Sequence, residues 1–260
     1  MPSPPPDAIP RPAMVGGRRI DAVELPGDAG RRPLVLLHEG LGSAGLWRDF
    51  PARLNAATGR RVLAFSRFGH GRSDPPAEPR TPAFFHDEAL EVLPELLPRL
   101  DAEAPILVGH SDGASIALVH AAYHRVTGLV LIAPHVFVED FTLAEIEQTR
   151  EHFVTGGLRE RMARHHDDPD AAFHGWCDVW LDPAFREWSI ESDAAGVTAP
   201  ALLVQGSADA YGTLEQIDRI GKRVQGPVER VVVDGAGHSP MFDAPEAVLR
   251  PVAAFSDRLP

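Results

Sequence analysis

Short apolar runs alternate with segments of helical length, and this alternation constrains the fold more than any other feature of the sequence. The apolar runs occupy residues 33–38, 61–66, 105–109, 128–134, 200–206 and 229–235. Segments with helical periodicity or composition occupy residues 46–57, 84–100, 112–124, 213–222 and 243–257. Strands that alternate with helices in this way predict an α/β fold with a mostly parallel sheet and helices on both faces.

Two stretches depart from this alternation. Residues 18–26 alternate apolar and polar side chains, which is typical of an antiparallel strand at the edge of a sheet. Residues 138–199 contain no convincing strand, but they hold Trp176, Trp180 and Trp188. We therefore predict a helical cap over the carboxyl ends of the strands, where it would cover a site. A peripheral helical subdomain with no role at the site is the alternative.

The charge of the chain limits its partners. The formal net charge is −12 and the pI is near 5.4, which argues against nucleic acid and anionic membrane surfaces as partners. The first twelve residues contain six prolines and no apolar stretch like that of a signal peptide. We predict a disordered Pro-rich tail over residues 1–17 and, because no apolar run approaches the length of a membrane span, a cytoplasmic protein.

Cysteine and histidine usage gives no indication of a metal site. Cys177 is the single cysteine, so neither a disulfide within the chain nor a cysteine-based zinc site can form. We interpret Cys177 as a small core residue. Residues 164–170, "RHHDDPD", are interpreted as a solvated loop rather than a metal site, because contiguous residues rarely converge on one ion.

Ser111 lies between a strand-like run and a helix-like run, in the pentapeptide "GHSDG". A sharp strand-to-helix turn at this serine would crowd its neighbours, and Gly109 and Gly113 remove the Cβ atoms that would collide. This pattern indicates an exposed nucleophile. The alternative interpretation is a serine that only caps the helix.

A nucleophilic serine needs a base, and the base needs an acid that orients it. Asp209 follows the apolar run 200–206, and His238 lies in a Gly-rich loop after the last run. Because the carboxyl ends of parallel strands share one edge of a sheet, the side chains of Ser111, Asp209 and His238 can converge there. The chain order of serine, acid and histidine is the order expected for this type of turn.

These motifs resemble the α/β-hydrolase fold over about residues 18–258. The resemblance rests on "HEGLGS" (38–43), "SRFGHGRSDPP" (66–76), "GHSDG" (109–113), "QGSADAYG" (205–212) and "GAGHSP" (235–240). It implies an eight-stranded, doubly wound sheet with a helical cap inserted after the sixth strand. The implied domains are a hydrolase core over residues 18–137 and 200–260 and a cap over residues 138–199.

The same resemblance implies an oxyanion hole. The backbone N–H of Asp112 is one expected donor, and the N–H of Gly40, or alternatively of Leu41, is the other. Such donors contribute a few kcal/mol each to transition-state stabilisation.

The chain departs from the family pattern at two positions next to this hole. Glu39 stands where the family usually has glycine, and Ser66, followed by Arg67, stands where it usually has aspartate. An unpaired carboxylate would oppose a developing oxyanion, so we expect Glu39 and Arg67 to pair across neighbouring strand ends. The alternative is that Glu39 faces solvent or caps a backbone amide.

Further residues are predicted to surround the substrate. His135 follows a strand at the edge where the pocket would open, and Tyr211 and Trp176 are candidates for its lining. His110 precedes the serine, where side chains usually point into the fold, and is interpreted as structural.

The sequence thus predicts a serine hydrolase of the carboxylesterase type (EC 3.1.1), a monomer or homodimer with no metal or organic cofactor. Ser111 would attack a small or medium ester, thioester or lactone, and His238 would move the proton. A carbon–carbon bond hydrolase, or a lyase like the menaquinone-pathway cyclohexadiene synthase, could use the same triad. Epoxide hydrolases and haloalkane dehalogenases share the fold but need a carboxylate nucleophile. A non-catalytic ligand-binding protein is the alternative from another class.

Overall fold

The structure is a computed structural model that describes residues 8–260. Its strands are β1 (Ile9–Pro10), β2 (Ala13–Val15), β3 (Arg18–Ile20), β4 (Ala22–Leu25), β5 (Leu34–Leu37), β6 (Val62–Phe65), β7 (Ile106–His110), β8 (Gly128–Ile132), β9 (Ala201–Gly206) and β10 (Val228–Val233). Its α-helices are α1 (Phe50–Thr58), α2 (Phe84–Asp87), α3 (Leu93–Arg99), α4 (Asp112–Tyr123), α5 (Asp140–Thr155), α6 (Leu158–Met162), α7 (Pro169–Trp180), α8 (Glu191–Ala194), α9 (Leu214–Arg223), α10 (Pro240–Asp243) and α11 (Pro245–Asp257). A π-helical segment, Glu88–Val92, joins α2 to α3, and short 3₁₀ turns lie at Ala44–Trp47 and Pro183–Phe185.

Eight of these strands form one sheet in the order β1-β4-β6-β5-β7-β8-β9-β10. The pairs from β6 to β10 are parallel, while β1 and β4 are antiparallel additions at one edge. The predicted fold class, a mostly parallel eight-stranded sheet with helices, is confirmed.

Alternate residues of the central strands pack on opposite faces of the sheet. In β5, for example, Leu34 and Leu36 join one apolar cluster, while Val35 and Leu37 join the other. Every residue of β5 to β9 is buried, because helices cover both faces. The sheet is therefore a rigid base from which the loops at its carboxyl edge project.

Helices α5 to α8 lie between β8 and β9, and β8 is the sixth strand of the large sheet in chain order. Asp168 caps α7 by accepting the N–H of Ala171 at 2.9 Å, and Pro169 occupies its first turn. The rings of Phe153 in α5 and Phe173 in α7 stack with centroids 3.8 Å apart. We call this stretch, residues 138–199, the helical insertion.

Part of the predicted disordered tail is ordered, so that prediction is wrong for residues 8–17. β1 pairs with β4 in the large sheet, and β2 pairs with β3 in a separate two-stranded sheet. Proline is tolerated in β1 because this strand is at the sheet edge, where one side needs no N–H donor. The rest of the tail, residues 1–7, lies outside the described residues.

No helix of residues 8–260 combines the length and the apolar character that crossing a bilayer requires.

Candidate active site

A sharp turn between β7 and α4 presents Ser111. Its backbone, at φ 52° and ψ −121°, lies in a region that non-glycine residues adopt at a cost of about 1–3 kcal/mol. A Cβ on Gly109 would collide with the backbone of Ala114, and one on Gly113 would collide with the carbonyl group of Leu37. The two glycines therefore allow α4 to pack closely enough for this turn to form.

Ser111, His238 and Asp209 form a continuous chain of hydrogen bonds. His238 Nε2 is 2.9 Å from Ser111 Oγ. His238 Nδ1 is 2.9 Å and 2.8 Å from the two carboxylate oxygens of Asp209. Asp209 follows β9 and His238 follows β10, so the parallel strands bring both residues to the edge where β7 ends. The structure brings together the three residues that the sequence singled out.

Asp209 is held as an acceptor. Its side chain is fully buried and also accepts Gln205 Nε2 at 2.6 Å and the Tyr211 N–H at 2.7 Å. Burial opposes the ionisation of Asp209. Three effects outweigh burial and lower the pKa of Asp209: the hydrogen bond from His238, the positive charge that His238 can carry, and the hydrogen bond from the Tyr211 N–H. An ionised Asp209 keeps the His238 proton on Nδ1, which leaves Nε2 free to accept the Ser111 proton.

Two backbone N–H groups near Ser111 are available to a ligand. Within residues 8–260, those of Gly40 and Asp112 donate to no protein acceptor, and both residues line the cavity at Ser111. The third predicted donor, the Leu41 N–H, is already bonded to Glu39 Oε2 at 2.5 Å. The structure therefore favours Gly40 over Leu41 as the partner of Asp112.

The predicted ion pair between Glu39 and Arg67 is wrong. β5 and β6 are neighbours, as the prediction required, but the Arg67 guanidinium donates to the backbone carbonyls of His38 and Glu39, the latter at 2.9 Å. Buried carbonyl oxygens at a strand end need donors, and they compete with a side-chain carboxylate for the guanidinium. Glu39 instead caps the Leu41 N–H, which is the alternative that the sequence left open.

Three buried histidines fix the loop that carries Gly40. Each donates one ring N–H to a backbone carbonyl of the loop: His38 to Glu39 at 2.7 Å, His70 to Gly40 at 2.9 Å and His166 to Leu41 at 2.9 Å. The second ring nitrogen of each accepts a hydrogen bond, from Arg67 N, Arg80 Nη2 and Gly71 N, respectively. His38 and His166 are neutral because each ring both donates and accepts. At His70, Nδ1 lies 3.1 Å from both Arg80 Nη2 and the Phe68 carbonyl oxygen, and burial beside the charges of Arg80 and Arg67 favours the neutral ring. With its carbonyls held, the loop has fixed peptide planes and a fixed direction for the Gly40 N–H.

Acidification is expected to destabilise the fold through these three histidines. Chiefly because burial disfavours the imidazolium, their pKa values lie below the ordinary 6.5, that of His166 at about 4. Below about pH 6.5, the ordinary histidine pKa, these histidines bind protons in the unfolded chain but not in the folded chain. The free energy of unfolding therefore falls, as the pH is lowered, by up to about 1.4 kcal/mol per pH unit for each histidine. Urea unfolding, followed by tryptophan fluorescence at a series of pH values, measures this slope.

His166→Gln is the matched variant for this prediction. Glutamine keeps a donor for the Leu41 carbonyl and an acceptor for the Gly71 N–H, but it does not titrate. In this variant, the dependence of the free energy of unfolding on pH should weaken by about the contribution of one histidine. A wild-type stability that stays constant below neutral pH would contradict the assignment of neutral rings.

A cavity of about 190 Å³ lies in front of Ser111. Its walls come from the loops after β5, β8, β9 and β10, the turn before α4 and the insertion helices α5 and α7. The predicted pocket residues Glu39, His135, Tyr211 and Trp176 all line it. Trp176 packs so closely on Gly40 that a Cβ there would collide with the indole ring. The insertion thus contacts the loop that carries one of the available N–H donors.

His110 and His135 flank His238 as neutral side chains. Burial, together with the charge of His238, lowers the pKa of each to about 3. His110 Nε2 donates to the His238 carbonyl at 2.8 Å and so fixes the backbone of that residue. His135 stands as a wall of the cavity, with its ring centroid 5.6 Å from that of His238.

Sequence reasoning missed Gln205 and Trp180. Gln205 is fully buried in β9 and donates a hydrogen bond to Asp209. The presence of a polar residue within the apolar run "ALLVQG" could have indicated this role. Trp180 Nε1 donates to Asp112 Oδ1 at 3.2 Å. Trp180 follows Trp176 by four residues, which puts both rings on the same face of α7, and this spacing could have indicated that Trp180 also lies at the site.

Two further sequence predictions concern other chemistry. Cys177 is fully buried, and burial raises the pKa of its thiol to about 12, so it packs as a small core residue. Across residues 8–260, histidine, cysteine and acidic side chains do not assemble in threes or more around a point that could hold a metal ion.

The chain is similar to known proteins in both sequence and structure. The model of a family described as "Alpha/beta hydrolase family" matches residues 34–250. The chain is 34% identical over 107 residues to (lyso)-N-acylphosphatidylethanolamine lipase of Homo sapiens, covering 40% of this chain and 30% of that protein. It is 32% identical over 78 residues to epoxide hydrolase A of Mycobacterium tuberculosis, covering 29% of this chain and 24% of that protein. The chain thus matches about a quarter to a third of the length of these curated relatives.

Among solved structures, the esterase from Exiguobacterium antarcticum is similar with a TM-score of 0.75 and 21% identity. The match covers 94% of this chain and 97% of the esterase. At this level of identity the likeness concerns the fold.

Proposed function

Because the chain belongs to the alpha/beta hydrolase family, we propose that it is a serine hydrolase that cleaves a small or medium carboxylic ester, thioester or lactone through an acyl-enzyme on Ser111. The observation that carries this proposal is the hydrogen-bonded chain from Ser111 Oγ through His238 to Asp209, at the wall of a cavity. The named relatives include a lipase, whose match over 40% of this chain supports acyl transfer. An epoxide hydrolase reaction is not proposed, because the turn carries serine rather than a carboxylate nucleophile.

In the first half-reaction, Ser111 Oγ attacks the substrate carbonyl carbon while its proton passes to His238 Nε2. Asp209 stabilises the imidazolium that forms and keeps its orientation. The tetrahedral oxyanion accepts the N–H groups of Gly40 and Asp112, which contribute a few kcal/mol each. The His238 proton then passes to the leaving oxygen or sulfur, and the acyl group remains on Ser111.

In the second half-reaction, His238 takes a proton from water, which attacks the acyl-enzyme at the same carbon. Collapse of the second tetrahedral intermediate returns the proton to Ser111 and releases the acid. Because the protein groups described supply the nucleophile, the base and the oxyanion donors, this route needs no added cofactor.

The helical insertion is proposed as a cap that sets the size of the substrate. Residues 138–199 would form the cap, and residues 18–137 and 200–260, joined by the ordered strands of residues 8–17, would form the hydrolase core. α5 and α7 of the insertion line the cavity. Its volume of about 190 Å³ is below the ~300–1,000 Å³ of clefts that take drug-sized ligands.

A series of p-nitrophenyl esters of increasing acyl length tests the proposal. We expect turnover of acetyl to butanoyl esters and a drop in kcat/KM of about tenfold or more for long acyl chains, which exceed the cavity. A lactone set and a vinylogous ring-fission diketone complete the substrates. Turnover of the diketone without turnover of any ester or lactone would indicate carbon–carbon bond hydrolysis instead of this function. No turnover of any of these substrates would favour the non-catalytic binding protein.

A further inference from the structure

Charged side chains crowd the ends of β5 and β6, behind and beside Ser111. The carboxyl groups are Glu39, Glu88 and Asp112, and the guanidinium groups are Arg67 and Arg80. When all five groups are ionised, three carboxylates and two guanidiniums carry a net charge of −1.

The two guanidiniums are committed to other groups. Arg80 lies 3.9 Å from Glu88. Asp112 is the strongest electrostatic neighbour of Arg67, although burial still lowers the pKa of that guanidinium. The Nη atoms of Arg67 donate to backbone carbonyls. Arg67 acts on the Glu39 carboxylate only through space, and within residues 8–260 no lysine or arginine side chain donates a hydrogen bond to it.

The neighbouring histidines do not supply this cation. Those nearest the loop and the cavity are neutral, since burial lowers the pKa of each: His38, His70, His110, His135 and His166. His238 is bound to Asp209. No lysine or arginine of residues 8–260 lines the cavity.

Glu39 lines the cavity, and one of its two carboxylate oxygens is an unused acceptor. Its Oε2 atom caps the Leu41 N–H, while its Oε1 atom accepts no hydrogen bond from the described residues. A second cavity-lining carboxylate, Asp112, is 1% exposed, and its Oδ2 atom has no hydrogen-bond partner within residues 8–260. Burial raises the pKa of Glu39 and Asp112 adds to this, while the Leu41 N–H and the charges of Arg67 and His238 act in the opposite direction.

Aromatic rings complete the same cavity. Trp176 and Trp180 from the insertion and Tyr211 from the loop after β9 line it. A cation near aromatic faces and a carboxylate is stabilised by both, and more so where water is excluded. An anionic group would face uncompensated negative charge in the same place.

We propose that Glu39 binds the ammonium group of a substrate whose acyl chain carries a positive charge close to the reacting carbonyl. This substrate class rests on the serine hydrolase function proposed above. Glu39 immediately precedes Gly40, whose N–H would hold the carbonyl oxygen, so its carboxylate lies within reach of a charge on the first carbons of the acyl chain. The ammonium also offsets the repulsion between the Glu39 carboxylate and the developing oxyanion.

Three p-nitrophenyl esters of similar shape test the proposal. The 3-aminopropanoyl ester carries the cation, the butanoyl ester has a methyl group in its place, and the succinyl ester carries an anion. We expect wild-type kcat/KM for the cationic ester to exceed that for the butanoyl ester by about 10- to 100-fold, as for a hydrogen bond to a charged group. The succinyl ester should be the poorest substrate.

Two variants assign the preference to Glu39. Glu39→Gln keeps an acceptor for the Leu41 N–H but removes the charge. It should lower kcat/KM for the cationic ester and raise it for the butanoyl ester, because a charge that opposes the oxyanion is gone. Glu151→Gln, at an exposed position of α5, removes the same charge outside the cavity and should leave the ratio unchanged.

The outcomes separate this proposal from the proposed function. Ser111-dependent turnover of butanoyl ester without preference for the cationic ester would overturn the assignment of Glu39 and leave the hydrolase function intact. Absence of turnover of every ester would count against the hydrolase function. In that case, the ammonium site is tested by binding: the affinities of Ser111→Ala for 3-aminopropanamide and for butanamide are measured by tryptophan fluorescence. Equal affinity for the two amides would overturn the ammonium site.

Discussion

Ser111→Ala is expected to lower kcat on an ester substrate by about 10⁴-fold or more, the size of loss seen when a triad serine is removed. Alanine keeps the Cβ atom and adopts the same strained turn at φ 52°, so the fold should be retained. The variant loses the attacking oxygen and its hydrogen bond of 2.9 Å to His238. Steady-state kinetics with matched near-UV circular dichroism measure the loss.

Ser189→Ala is the control for this substitution, because Ser189 is exposed in the insertion and outside the cavity. It should leave kcat within about twofold of wild type, as surface substitutions usually do. If Ser111→Ala kept a substantial fraction of the wild-type rate, another group would be the nucleophile.

Asp209→Asn should produce the second large loss, of about 10⁴-fold in kcat. The carboxylate accepts N–H groups from His238, Gln205, Tyr211 and Gly212. An amide in its place has one oxygen for these donors, and its NH₂ group must face at least one of them. The His238 ring is then held in the wrong tautomer, with Nε2 protonated and unable to accept the Ser111 proton.

Exposed Asp178 offers the matched control, since Asp178→Asn makes the same chemical change in α7 outside the cavity at Ser111. Comparable kcat values for the two variants would show that Asp209 does not orient His238. A loss of folding in Asp209→Asn would appear as a changed unfolding curve and is checked in the same samples.

The fold and the placement of the main polar residues could be predicted because both follow from one rule. Parallel strands end at a common edge, so residues in the loops that follow β7, β9 and β10 can meet there. The glycines around Ser111 likewise indicate a close approach of α4 to β5, because a Cβ atom on Gly113 would collide with the Leu37 carbonyl oxygen.

The surroundings of Glu39 could not be predicted, because they depend on competition for Arg67. The sequence shows a carboxylate and a guanidinium near neighbouring strand ends, but not that backbone carbonyls would hold the guanidinium. The three histidines that fix this loop come from widely separated segments, and only tertiary structure brings His166 of the insertion to Leu41. The edge strand β1 was missed because proline-rich sequence favours disorder, while pairing with β4 overrides that preference.

Mass spectrometry of the intact protein, quenched in acid during turnover of a p-nitrophenyl ester, tests the central claim most directly. We expect a mass increase of one acyl group, located on the peptide that contains Ser111 and absent in Ser111→Ala. His238→Ala treated with a fluorophosphonate serves as a control for the role of the base, and its labelling should be strongly slowed. Sustained ester turnover with the acyl group on another residue would show that Ser111 is not the nucleophile.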